Sequence, residues 1–245
     1  MQWGALDLEP VPGGLAALLP DAVSPDTVAA VLGGAQVTVS AAVPRDSGSV
    51  WLLSPRAVQI GSVLITFSEV AAPPEALRLT DSPAFGTGCH PTTALCIETL
   101  EEILIGEQVE SLLDVGTGSG ILALTALKLG VRQAVGLDLD AEALQAAAEN
   151  ARLNYFADRL QLVLGGPEVV EGHWPLVVAN ILAAPLMDMA PVLVRRVGKR
   201  GRLLLSGIPC ALASEVGQTY QDLGMRLIGA KTSAGWTALL AQASW

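Results

Sequence analysis

From Ser111 onward, short apolar runs alternate with stretches of helical spacing at nearly regular intervals. The runs Ser111–Val115, Ala134–Leu137, Leu160–Leu164, Leu176–Ala179 and Arg202–Ser206 are too short for helices and rich in Leu, Val and Ala. Near-continuous apolar runs of that length are the pattern of strands buried on both faces. Between and after them, Ile121–Leu129, Ala141–Leu153, Pro185–Val197 and Cys210–Leu223 read as helices. Strict alternation predicts right-handed βαβ units and a sheet covered by helices on both sides. The end of the chain breaks the rhythm. Met225–Lys231 and Trp236–Gln242 are strand-like and only a short turn, Thr232–Gly235, separates them. Such a hairpin puts an antiparallel strand into an otherwise parallel sheet. The fold class read from the pattern is therefore α/β, Rossmann-like, with a mostly parallel seven-stranded sheet and one antiparallel strand.

Residues before about Leu79 follow another pattern, dominated by proline, glycine and small side chains. Gln36–Val43 and Val58–Phe67 have strand-like composition, and Asp26–Gly33 reads as a short helix. Ser24 is placed to cap that helix and Pro25 to open it. The expectation is a small α+β module over residues 1–78, a linker through Ala71-Ala72-Pro73-Pro74, and a larger domain over residues 79–245. One further stretch, Trp174 to Val194, is apolar apart from Asn180 and Asp188. Pro175, Pro185 and Pro191 interrupt it, so a buried strand, a loop and an amphipathic helix explain it better than a membrane span.

The candidate chemistry lies where the first strand of the alternating region ends, in Leu112-Leu113-Asp114-Val115-Gly116-Thr117-Gly118-Ser119-Gly120-Ile121-Leu122. Gly116, Gly118 and Gly120 let the main chain approach a ligand with no side chain between. The next strand ends in Asp138, where a carboxylate can accept from both hydroxyls of a ribose. A dinucleotide site reads G-x-G-x-x-G and holds a pyrophosphate at a helix N-terminus. Here the spacing is G-x-G-x-G and Asp114 precedes it. A carboxylate there repels a pyrophosphate and suits a ligand with cationic groups. S-adenosylmethionine, with its sulfonium and ammonium, fits that charge better than NAD.

Two more segments join the pattern. Ala84-Phe85-Gly86-Thr87-Gly88-Cys89-His90-Pro91-Thr92-Thr93 runs into an expected helix from Ala94 to about Ile105. Thr92 and Thr93 can cap that helix or reach a ligand. Val177-Val178-Ala179-Asn180 carries a buried strand into a polar residue, which puts Asn180 at a strand's carboxyl end beside Asp114. Open α/β sheets hold their ligands there.

The 245 residues can bury a full core, and a formal net charge of −10 argues against a nucleic-acid partner. The same charge suits a basic protein substrate. Cys89, Cys96 and Cys210 are odd in number and scattered, with no C-x-x-C. Neither a disulfide framework nor a metal site is implied, which fits a cytoplasmic protein. Met1-Gln2-Trp3-Gly4 lacks the basic and apolar regions of a secretory signal.

Taken together, AFGTGCHPTT, LLDVGTGSGILAL, AVGLDLD, VVANILAAPL, RLLLSGI and the final AGWTALLA resemble the PrmA family, in family order and at family-like spacing. These are S-adenosylmethionine-dependent methyltransferases of large-subunit ribosomal protein eleven. The likeness runs from Leu79 to the C-terminus, and AFGTG-x-H-x-TT is its specific part. It implies a class I methyltransferase fold, S-adenosyl-L-methionine as cofactor, and transfer of a methyl group to an amino group of a ribosomal protein. Carried over by position, the family's cofactor contacts fall on Thr93, Gly116, Asp138 and Asn180. With them, Asp114 would act electrostatically or through hydrogen bonds, and Gly118 and Gly120 would bring the main chain close. Asn180, with neighbouring carbonyls, would also serve catalysis by accepting the hydrogens of the attacking amine. His90 is expected to anchor main chain and not to act as a base.

The resemblance departs in front, where Thr80-Asp81-Ser82-Pro83 stands in place of the family's Asp-Pro-Gly. Another protein lysine, a small molecule, or silent cofactor binding therefore remain as alternatives. Nucleic-acid amino-methyltransferases often read Asn-Pro-Pro-aromatic where this chain has Asn180-Ile181-Leu182-Ala183, so the stacking ring for a flipped base is missing.

Overall fold

The computed structural model describes residues 7–11, 14–19, 23–32, 37–38, 57–68, 70–80 and 90–245. They fall into two compact units, Met1–Pro55 and Arg56–Trp245. The first unit holds an antiparallel hairpin of β1 (Asp7–Val11) and β2 (Gly14–Leu18), then α1 (Pro25–Val31). Ser24 caps α1 as its position suggested, its hydroxyl accepting from the Thr27 amide at 3.4 Å with Pro25 opening the helix. Of the strand-like run 36–43, only Val37 and Thr38 are among the described residues, and residues 84–89 of the Ala84–Thr93 segment lie outside them.

The second unit begins with β3 (Val58–Ile60), β4 (Val63–Phe67) and β5 (Leu77–Leu79). The apolar run read at Val58–Phe67 is split into a hairpin, because Gly61 takes φ +53 and Ser62 donates its amide to Glu101 Oε1 at 3.0 Å. Residues 71–74 connect β4 to β5, which pair in parallel. The alternating part follows: α2 (Pro91–Leu104), β6 (Ser111–Val115), α3 (Ile121–Lys128), β7 (Gln133–Asp138), α4 (Ala141–Leu153), β8 (Leu160–Leu164) and β9 (Trp174–Asn180). Then come α5 (Ala183–Asp188), α6 (Ala190–Arg196), β10 (Val197–Pro209), a 3-10 turn at Cys210–Leu212, α7 (Ala213–Asp222), β11 (Met225–Ser233) and β12 (Trp236–Ala243).

The strands from β6 onward form one seven-stranded sheet in the order β11-β12-β10-β9-β6-β7-β8. All neighbours run parallel except β12, which is antiparallel to both β10 and β11. Side-chain alternation along β6 splits the core between the two faces. Leu112 joins the α2 and α3 side with β4 and β5, while Leu113 and Val115 join the α5–α7 side.

Three elements differ from the sequence reading. The helix expected over Pro185–Val197 is two helices meeting at Met189. Pro191 has no amide hydrogen and its ring crowds the carbonyl four residues back, so one continuous helix cannot form. The region Val197–Gly201 belongs to β10, because Val197 pairs with Trp174 ahead of a register shift before Arg202. Finally, α2 starts at Pro91 instead of Ala94, with proline at the favoured first position. Among the described residues, no helix is long and apolar enough to cross a membrane.

Candidate functional site

The chain moves outward from β6 through β7 to β8, then returns to the other side of β6 as β9. That reversal opens a crevice at the strands' carboxyl ends, the usual ligand position in an open α/β sheet. Register sets what lines it. Val115 lies opposite Leu137 on one side and Ala179 on the other, so Gly116, Asp138 and Asn180 leave the sheet at one level. Ser206 of β10 pairs with Asn180 and adds the next position along.

The glycine turn is shaped by its neighbours as well as by its own conformation. Gly116 has φ +74, and a Cβ there would sit 2.4 Å from Ile181 Cγ2. The Gly116 and Thr117 amides both donate to the Leu137 carbonyl, at 2.9 and 2.8 Å. Gly118 donates its amide to Asp138 Oδ2 at 2.9 Å, while Asp138 Oδ1 accepts from the Asp140 amide at 3.0 Å. Gly120 opens α3 at φ +81, where a Cβ would meet Ala147 Cβ of α4 at 3.1 Å. The structure thus ties Asp138 to the turn itself, a role beyond the ribose contact expected of it.

Asp114 is almost completely buried beneath the turn. Its Oδ2 accepts from the Thr117 hydroxyl at 2.8 Å and the Ala123 amide at 3.2 Å, and its Oδ1 has no partner. Burial pushes its carboxyl up to about 7, and the nearby charge of Asp138 adds to this, against the lowering effect of those two hydrogen bonds.

Thr92 and Thr93 stand inside the first turn of α2, and neither is its cap. The cap is His90, whose Nδ1 accepts from the Thr92 amide at 3.3 Å and lies 2.7 Å from the Thr92 hydroxyl. Its ring meets Trp236 edge-on at 5.2 Å. His90 anchors main chain, as expected from its setting. Thr93 is buried with its hydroxyl unpartnered. Ser206 bridges the two halves of the site: its hydroxyl donates to the Thr92 carbonyl at 3.2 Å, and its own carbonyl accepts the Ile181 amide at 3.2 Å. Cys96 is hydrogen-bonded to Ser206, and burial pushes its thiol up to about 12 despite that bond, so it stays protonated and unreactive.

Four buried side-chain polar atoms among the described residues lack a hydrogen-bond partner: Thr93 Oγ1, Asp114 Oδ1, Asn180 Oδ1 and Thr125 Oγ1. Each orphan costs about 1–3 kcal/mol, so native proteins keep few of them. Three of the four belong to residues singled out from sequence. Asn180 Oδ1 is a pure acceptor and Asp114 Oδ1 accepts when its carboxyl is ionised, so the site suits a ligand rich in donors, such as an ammonium or ribose hydroxyls. Among the described residues, no cluster of three or more His, Cys, Asp or Glu could hold a metal ion. Sequence reasoning passed over Ile181, Ser206 and Gly207. Gly207 takes φ +82, and a Cβ there would sit 2.1 Å from the Ile181 carbonyl oxygen. Ser206 and Gly207 leave their trace in the small-residue pair of RLLLSGI, and Ile181 directly follows Asn180 in VVANILAAPL.

The family model described as ribosomal protein L11 methyltransferase (PrmA) matches residues 32–244. A ribosomal protein L11 methyltransferase of Chromohalobacter salexigens is 45% identical over 176 residues, 71% of this chain and 58% of that protein. One from Hamiltonella defensa is 48% identical over 138 residues, 56% of this chain and 45% of that protein. The chain thus spans about half the length of the curated relatives it matches. The crystal structure of a ribosomal protein L11 methylase from Lactobacillus delbrueckii subsp. bulgaricus superposes with a TM-score of 0.71 at 29% identity, covering 77% of this chain and 99% of that one. Fold, motif spacing and family match agree, and the chain belongs to the ribosomal protein L11 methyltransferase (PrmA) family.

Proposed function

We propose that this chain is an S-adenosyl-L-methionine-dependent methyltransferase that methylates an amino group of a protein, most directly a basic large-subunit ribosomal protein such as L11. The observation that carries the reading is the trio of buried, unpartnered polar atoms on Thr93, Asp114 and Asn180. They lie around a glycine turn whose acidic surroundings favour a cation, and S-adenosylmethionine offers an ammonium and hydroxyls as donors. When bound, this group supplies an activated methyl on a sulfonium, which leaves as a neutral thioether. The protein's task is then positioning and exclusion of water more than acid–base chemistry.

Asp114 would attract the cationic part of the cofactor and Asp138 would accept from its ribose, while Gly116, Gly118 and Gly120 would keep side chains out of the way. Thr93 offers its hydroxyl from the first turn of α2. A lysine amine must lose a proton before it attacks, at a cost of about 5 kcal/mol at pH 7. A dry pocket lowers that cost by disfavouring the ammonium. Asn180 Oδ1, buried and unpartnered, would accept one hydrogen of the neutral amine and so orient it for attack. Substrate recognition is assigned to residues ahead of the methyltransferase domain, and the cytoplasm is proposed as the site of action because the substrate is a ribosomal protein.

The test is methyl transfer from labelled S-adenosylmethionine to purified ribosomal protein L11, with mass spectrometry locating the modified residue. Label on an L11 amino group supports the reading. Label appearing only on other proteins of a lysate would sink the substrate, and absence of calorimetric binding would sink the cofactor.

A further inference from the structure

We propose that Asn150 is a positioning residue for the cofactor site, because one buried carboxamide holds the glycine turn and the chain leaving β5 in fixed relation. The proposal rests on the functional reading above and goes beyond it by naming a residue of α4 that supports the glycine turn from behind. Asn150 lies on α4 and is completely buried. Its Nδ2 donates to the Ser119 carbonyl at 2.8 Å, inside the glycine turn. Its Oδ1 accepts from both the amide and the hydroxyl of Thr80, at 2.7 and 3.1 Å. Thr80 immediately follows β5 and leads toward His90 and α2, which carries Thr93.

One helical turn further on, Asn154 repeats the geometry without touching the turn. Its Oδ1 accepts the Arg78 amide at 2.8 Å, and its Nδ2 donates to the carbonyls of Arg78 and Asn150, at 2.6 and 2.7 Å. Residues four apart on a helix are about 6 Å apart, and residues two apart on a strand are about 6.6 Å apart. The match of the two spacings lets α4 stand in for a missing strand along β5, which is an edge of its three-stranded sheet. The same face of α4 presents Ala147, whose Cβ a side chain at Gly120 would crowd. Asn150 is therefore the one residue of the pair that reaches both the ladder and the cofactor turn.

The two asparagines provide an internal control. Asn154→Ala breaks the ladder on β5 and leaves the Ser119 bond. Asn150→Ala breaks both, and Asn150→Asp keeps the acceptor while setting an oxygen against the Ser119 carbonyl. Affinity for S-adenosylhomocysteine is measured by calorimetry, with KM for S-adenosylmethionine and for the protein substrate measured separately. We expect Asn150→Ala and Asn150→Asp to raise Kd and cofactor KM at least tenfold with protein KM unchanged. Asn154→Ala should lower Tm comparably yet hold Kd within twofold. Equal weakening by Asn154→Ala, or unchanged Kd in Asn150→Ala, overturns the proposal. If the Asn150 variants do not fold, Thr80→Val, which removes only the hydroxyl bond, carries the test; a threefold rise in Kd supports it and no change overturns it. No binding by the unaltered chain overturns the functional reading along with this one, whereas binding that is indifferent to Asn150 overturns this one alone.

Discussion

The turn after β6 and the turn between β11 and β12 are both built on left-handed backbone, yet they meet opposite surroundings. In the hairpin, Ala234 and Gly235 take φ +47 and +84, the pair of positive values that a two-residue turn between twisted strands demands. A Cβ at Gly235 would meet nothing within 4 Å, and the Gly235 carbonyl accepts the Cys210 amide at 2.9 Å. After β6, Gly116 shares the same region of φ, but Ile181 closes the space above it, and Asp114 Oδ1 and Asn180 Oδ1 nearby are left unpaired. One turn stands in open space. The other is held open by its neighbours, at a cost in free energy that a ligand can recover.

The contrast breaks hardest at Asn180. Asn180→Ala should cut turnover on the order of 10²-fold, the usual loss when one aligned polar group is removed from a reacting centre, with Tm changed by only a few degrees. Turnover equal to the unaltered chain would take Asn180 out of the site. Next comes Gly116→Ala, expected to destabilise by roughly 2–4 kcal/mol and to weaken cofactor binding about tenfold, since left-handed strain and a steric clash add together. Adding Ile181→Ala removes the clashing methyl, so chemical denaturation of the double variant should show a favourable coupling of about 1–2 kcal/mol. Simple additivity would mean that Ile181 does not impose the glycine.

A smaller effect follows from Asp114. Its folded-state carboxyl titrates at about 7, raised by burial. A raised acid stabilises the fold while protonated, so this contribution is complete below about pH 4 and is lost as the pH rises through 7. A cationic ligand has the opposite preference and favours the carboxylate. Calorimetry should therefore find Kd for S-adenosylmethionine weakened about fivefold between pH 7 and 6, and that slope should flatten in Asp114→Asn. A profile as steep in Asp114→Asn as in the unaltered chain would assign the titration elsewhere. The smallest effect belongs to the hairpin: Gly235→Ala should cost about 1–2 kcal/mol in thermal unfolding and leave cofactor affinity unchanged. Any loss of affinity there would erase the difference between the two turns.

Legibility in the sequence tracks how local each cause is. Ser24, Pro25 and the short turn at Thr232–Gly235 act on residues within a few positions, and the sequence reading of both segments agrees with the structure. The βαβ rhythm was equally visible, because burial on both faces writes continuous apolar runs. Pro191 is legible too, but where it acts is set by the fold: the helix is interrupted at Met189 instead of running on to Val197. His90 and Thr92 stand two positions apart in sequence, and only the structure gives the cap to the histidine, braced by Trp236 from the far end of the chain.

The chain's own order of residues determined the parallel sheet, its antiparallel ending, and the acidic and glycine positions where strands stop. Tertiary structure decided which of those positions meet. The Asn150–Ser119 bond spans 31 positions, the Thr80–Asn150 bonds 70 and the Ser206–Thr92 bond 114. Hydrogen-bond partners that far apart leave no periodic trace, because their meeting depends on strand register and helix packing and not on local conformational preference.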